Sequence, residues 1–210
     1  MKKFWIPVLS VLIALGTRCM RDRSVNSDHA DDLLIHILLN GPNYEGDFYE
    51  GFLPPTEYAL WVEDQEGHCL ITLEITPTAV TVDSIHGSHI EHLPVWAEAA
   101  GMTYDLLAQT TESGIPAAFD GITAASPALY QNPDTPLLIE KAWDLTKEGL
   151  KIKNDMIYIC FEAANIIKYT SDETVTVVSE HTKSFVDLNG MQTVPAAATP
   201  HILELTVSFP

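Results

Sequence analysis

The chain has 210 residues, enough for one domain with a sizeable core or two small ones. Its 46% hydrophobic and 19% charged content is that of a folded globular protein and excludes wholesale disorder. A formal net charge of −18 repels nucleic acid and anionic lipid and favours cations or basic partners, the competing reading being a solvated acidic face with no specific partner.

The N-terminus reads as an export signal. Lys2 and Lys3 precede an apolar run, Phe4 to Leu15, that is too short for a comfortable membrane span. Ala14 and Gly16 supply small residues at the −3 and −1 positions, so residues 1–16 are expected to be a signal peptide cleaved after Gly16. Cys19 invites lipidation, but Arg18 and Gly16 stand where a lipobox needs a small residue and a leucine. Arg18, Arg21 and Arg23 oppose translocation, and a retained N-terminal membrane tether is the alternative. Residues 17–31 form a polar tether, and residues 32–210 form the domain. The expected location is the periplasm or cell envelope.

Leu33 to Leu39 is a short apolar run suited to a buried strand. Tyr58–Glu63 and Cys69–Ile75 flank Asp64-Gln65-Glu66-Gly67, which predicts a hairpin with Gly67 at positive φ. In its second strand Leu70, Thr72 and Glu74 alternate with Cys69, Ile71, Leu73 and Ile75, so one face should be buried. Ala79 to Asp83 suggests a further short strand.

His86, His89 and His92 recur at every third position. Three imidazoles within reach of one another would bind zinc or copper, or ligate a haem iron. On a helix this spacing sets neighbours about 60° apart on one broad face, but an extended chain alternates them and Gly87 opposes a helix there. The competing reading is three solvated loop histidines. Ser88 and Glu91 match a capping box, yet that start would place Pro94 inside a helix. Pro94 at the first helical position and Gly101 as the stop remove the conflict. A short helix over Pro94–Ala100, with Trp96 packed on the sheet, is therefore predicted.

Asp120-Gly-Ile-Thr123-Ala-Ala-Ser126 sets an acid, a hydroxyl and a second hydroxyl among small residues. This order resembles the acceptor motif at which extracytoplasmic flavin transferases attach FMN through a phosphoester. The resemblance makes Ser126 the candidate acceptor, with Asp120 orienting the attacking hydroxyl or holding the transferase's metal ion. Pro127 biases Ser126 toward an extended backbone that exposes Oγ. Ala124, however, stands where the motif usually has glycine. The competing reading is a polar turn joining two strands.

Leu138–Asp144 and Met156–Ala163 suggest a second hairpin-like pair, with Trp143 buried at a strand end and Glu162 facing solvent. Thr174–Ser179 and His201–Phe209 close the chain as strands. About eight short strands, polar turns and one short helix point to a mainly β fold, a β-sandwich. Export would permit a disulfide between Cys69 and Cys160. Two buried free thiols are the favoured reading, because Trp96 lies in a helical pattern and the separation exceeds that of an immunoglobulin framework.

Pro55 through Gly67 with Leu73, then Leu93-Pro94-Val95-Trp96, Asp120 through Ser126, Ala142-Trp143-Asp144 and Tyr158 through Glu162, follow one another in order. Together they resemble the predicted periplasmic family called domain of unknown function 2271. That resemblance implies an exported, immunoglobulin-like sandwich related to a domain type of flagellar hook-capping proteins, and no established activity. The chain departs from the family at Ala124-Ala125-Ser126 and in its long 101–118 segment.

No G-x-S-x-G elbow, phosphate-cradling glycine loop or zinc-protease motif occurs. The expectation is a non-catalytic binding or interaction module with a protein or small-molecule partner in the envelope. The alternatives are an electron carrier with covalent FMN on Ser126, and zinc or haem handling by the histidines.

Overall fold

The computed structural model describes residues 32–41, 43–45, 56–80, 90–109, 136–144, 155–169 and 175–210. Nine strands lie among them: β1 (Asp32–Leu39), β2 (Asn43–Glu45), β3 (Tyr58–Glu63), β4 (Cys69–Ile75), β5 (Leu137–Asp144), β6 (Met156–Tyr169), β7 (Val175–Asp187), β8 (Gln192–Val194) and β9 (Ile202–Ser208). Three short helices, α1 (Pro77–Val80), α2 (Pro94–Ala99) and α3 (Tyr104–Leu107), and one 3-10 turn, Ile90–His92, accompany them.

The strands form two sheets. The smaller has the order β5-β1-β9, antiparallel throughout. The larger runs β4-β3-β6-β7-β8, with β2 parallel to the second half of β6. Alternation along β1 sends Leu33, Ile35, Ile37 and Leu39 inward against Tyr58, Leu60 and Val62 of β3 and Ile159 and Phe161 of β6. Side chains sealed this way contribute about 1.5–3 kcal/mol each, which makes the interface between the sheets the main source of stability. The fold is a β-sandwich.

A second apolar cluster lies on the far side of the larger sheet. Ala59, Trp61, Ile75 and Cys160 pack there against Ala79, Val80, Leu93, Trp96 and Leu107 of the helical segments. Every residue of β3 is consequently buried, because its strand is covered on both faces. The described residues form three layers: small sheet, large sheet, short helices.

Both lateral openings of the sandwich are bridged. Residues 195–200 cross from the larger sheet to the smaller one. Thr182 Oγ1 donates to the Ala197 carbonyl at 2.7 Å, and Ala196 N–H donates to Leu205 O at 3.3 Å. On the other side Lys141 of β5 meets Glu74 of β4 at 3.2 Å, and Tyr58 Oη donates to the same carboxylate at 2.5 Å.

Several expectations change. Leu138–Asp144 and Met156–Ala163 belong to different sheets, so they form no hairpin. Ala79 and Val80 sit in α1, not in a strand, and residues 81–83 lie outside the described residues. In β4 the alternation fails because the register shifts twice against β3. The shifts turn Ile71 and Leu73 toward the inner core with Leu70, while Cys69, Thr72 and Ile75 meet the helical layer. The hairpin itself forms as expected, with Gly67 at φ +86°.

Candidate functional site: the two outer faces of the sandwich

The helical layer is fastened by buried polar groups. Helix α2 begins with Leu93 at its N-cap, a side chain that cannot accept a hydrogen bond. The exposed donors at the helix start are taken instead by Glu162, which reaches up from β6. Glu162 accepts from Val95 N–H at 3.2 Å, from Trp96 N–H at 2.7 Å and from the Ser179 hydroxyl at 2.5 Å. The carboxylate is fully buried rather than solvent-facing, because the helices cover the face to which alternation assigns it. Burial pushes its pKa up, while the bonds from Ser179, Trp96 and Val95 and the charge of His181 pull the other way; burial prevails.

Three more contacts complete the attachment. Trp96 Nε1 donates to Thr72 Oγ1 of β4 at 2.9 Å. His92, at the end of the 3-10 turn, is buried with its Nδ1 hydrogen-bonded to Glu57 Oε2, just before β3. Gly101 at φ +61° closes α2 with Met102 N–H bonded to Ala97 O at 2.7 Å and Gly101 N–H to Glu98 O at 3.1 Å, a Schellman stop. A carboxylate-held imidazole can orient an acid–base couple. Here the same contact ties the helical segment to the sheet.

Beside this layer, Trp61 Nε1 donates to Glu63 Oε1 at 2.9 Å, and Glu63 meets Lys183 at 3.5 Å. The Lys183 ammonium lies 4.5 Å from the Tyr158 ring centroid. Cys69 and Cys160 are free thiols on this face. Strand β3 runs between them, and they lie opposite Glu63 and Trp61, so their backbones are more than about 9 Å apart, too far for a disulfide. Burial pushes the Cys69 thiol up to about 11 and the Cys160 thiol higher still.

The outer face of the smaller sheet is different. Leu34, His36 and Leu38 of β1 point outward, and Leu38 lies opposite Leu138 of β5, which is 55% exposed. A register shift in the β1–β9 pairing extrudes Leu203, 39% exposed, beside Glu204. His36 Nδ1 and Glu140 Oε1 face each other at 3.4 Å, both well exposed. The outward positions of these strands carry Glu140 and Glu204 and no Lys or Arg.

Of the sequence-derived site residues, His92 is placed and engaged by Glu57, while His86 and His89 lie outside the described residues. Asp120, Thr123 and Ser126 also lie outside them. No group of three or more His, Cys, Asp or Glu side chains among the described residues is arranged to hold a metal ion. Sequence reasoning missed Glu57, Glu162 and the Leu38–Leu138 face. The available signal for Glu162 was the uncapped start at Leu93-Pro94, whose donors needed a distant acceptor. No family model matches this chain, and neither a curated protein nor a solved structure matches it.

Proposed function

We propose that this chain is an exported, non-catalytic binding module whose recognition surface is the outer face of β5-β1-β9. The observation that carries the reading is exposed Leu138, paired with half-buried Leu38, with exposed Leu203 nearby and Glu140 and Glu204 at the border. Such a face complements a protein that presents apolar side chains with Lys or Arg around them, and the net charge of −18 extends the attraction. Lys2, Lys3 and the apolar run Phe4–Leu15 support export. Kinship with the domain of unknown function 2271 family, and an immunoglobulin-like topology, stand on the sequence resemblance.

A photo-crosslinking side chain placed at Leu138, Leu203 or Glu98 in the native host tests the surface. The expected result is one discrete adduct from 138 and 203 that is lost on Glu140→Lys with Glu204→Lys. Equal labelling from Glu98 on α2, or none from Leu138, would contradict it. Covalent FMN on Ser126 and zinc or haem at the histidines rest on the sequence alone. The visible spectrum and intact mass of the same native material test them, with Ser126→Ala removing any flavin mass.

A further inference from the structure

His201 stands where the two sheets are joined. Its backbone N–H donates to Glu180 Oε2 of β7 at 2.9 Å, and its carbonyl accepts from Asn40 N–H, after β1, at 2.8 Å. The other Glu180 oxygen accepts from Asn165 Nδ2 of β6. One residue thus couples the segment after β1, strand β7 and the start of β9. Its side chain is sealed: the residue is 1% exposed, and the Ala164 and Asn40 carbonyls face the ring without meeting either nitrogen at full hydrogen-bond geometry. The 195–200 crossing that precedes it hangs on Thr182 of β7, through the Ala197 carbonyl at 2.7 Å, just past the Val194 carbonyl of β8 that Ser184 holds at 2.8 Å.

We propose that His201 is an acid-sensitive latch, holding residues 195–201 and the start of β9 against β7 while neutral and releasing them when its ring is protonated. A neutral imidazole carries no charge into this interior, whereas an imidazolium must carry one there without solvent. The charged and polar groups facing the ring are few. Glu180 comes from β7, the Ala164 carbonyl from β6 and the Asn40 carbonyl from the end of β1, and all three favour the charged form. Burial outweighs them and holds the His201 pKa below its ordinary value.

The sign follows from linkage. The open state takes up a proton as pH falls below about 6.5, while the closed state resists it, so opening becomes easier with acid. At pH 5.0 an unburied imidazole is protonated about 30 to 1, which limits the gain in opening to about 30-fold. When the ring leaves, the main-chain bonds to Glu180 and Asn40 go with it. Opening is therefore confined to the C-terminal segment, while β3 and the first half of β6 stay closed.

Hydrogen–deuterium exchange of the full-length protein at pH 7.5 and 5.0, corrected for intrinsic rates, tests the latch. Peptides over 195–208 should lose protection by ten- to 30-fold at pH 5.0 relative to peptides over 58–63. His201→Gln, which cannot titrate, should abolish that difference. Equal loss across the chain, or the same pH dependence in His201→Gln, would overturn the proposal. Should that variant not fold, imidazole NMR of the wild-type protein decides. A ring that titrates at or above 6.5 with β9 protection intact would sink the latch, and a depressed titration coincident with loss of β9 protection would sustain it.

Discussion

Glu162 accepts the backbone N–H of Trp96 at 2.7 Å across 66 positions of sequence. This one contact joins the start of α2 to the middle of the larger sheet. It replaces the local cap that Leu93 cannot provide. Glu162→Ala should cost about 2–4 kcal/mol in urea unfolding, because the buried Trp96 amide, the part-buried Val95 amide and the Ser179 hydroxyl lose their acceptor. Glu162→Gln keeps an acceptor and should cost less.

The same residue has a pH signature. Its folded-state pKa lies above the ordinary carboxylate value because the group is buried. The stability it supplies is complete below the unfolded pKa of about 4.5 and diminishes as pH rises through the folded value. The difference in unfolding free energy between wild type and Glu162→Gln should therefore shift in favour of Gln as pH rises from 4 to 7. A difference that stays flat over that range contradicts the assignment.

Lys141 points inward from the edge strand β5 and is paired with Glu74. An inward charge at a sheet edge disfavours pairing with another chain's strand. Lys141→Val should leave the folded protein within about 1–2 kcal/mol of wild type but increase self-association relative to wild type, visible by sedimentation velocity. A strictly monomeric variant contradicts that role.

Cys69 and Cys160 should remain thiols in protein isolated without reductant. Burial keeps both protonated at neutral pH, with Cys69 pushed up to about 11. Alkylation of the native protein at pH 8 followed by peptide mapping should label Cys69 slowly and Cys160 hardly at all. Both should react fully in denaturant. A peptide pair linked through the two cysteines would contradict the strand order.

Gly101 at φ +61° ends α2, and the space around it is open. Gly101→Ala should cost about 1 kcal/mol through backbone strain alone, read from the urea midpoint. No loss would mean that the Schellman stop is not what ends the helix.

The parts of this fold legible in the sequence are those whose pattern is local. The apolar run 33–39, the Asp64–Gly67 turn and the Pro94 start with its Gly101 stop each gave one answer, and β1, the β3–β4 hairpin and α2 are found there. Strand β7 runs on to Asp187, well past the expected end at Ser179, because Ser179 through Ser184 are polar on both faces and carry no strand signal. Thr182 and Ser184 meet the Ala197 and Val194 carbonyls with hydrogen bonds rather than apolar packing, so period-two hydrophobicity vanishes there. The orientation of β4 was hidden by its two register shifts, which single-sequence alternation cannot reveal. Glu162 and His201 were illegible for a further reason. Their burial depends on segments that fold over them from elsewhere in the chain.

The functional reading turns on one asymmetry among the described residues: helices clasp the larger sheet's outer face over β3, β4 and the middle of β6, and no described segment covers the smaller sheet's outer face. Hydroxyl-radical footprinting of the purified protein reads both faces in a single experiment. Leu138 and Leu203 should oxidise readily, while Trp61 and Trp96, intrinsically more reactive, should stay protected until the protein unfolds. Native-state oxidation of Trp96 at the rate of Leu138 would contradict the account.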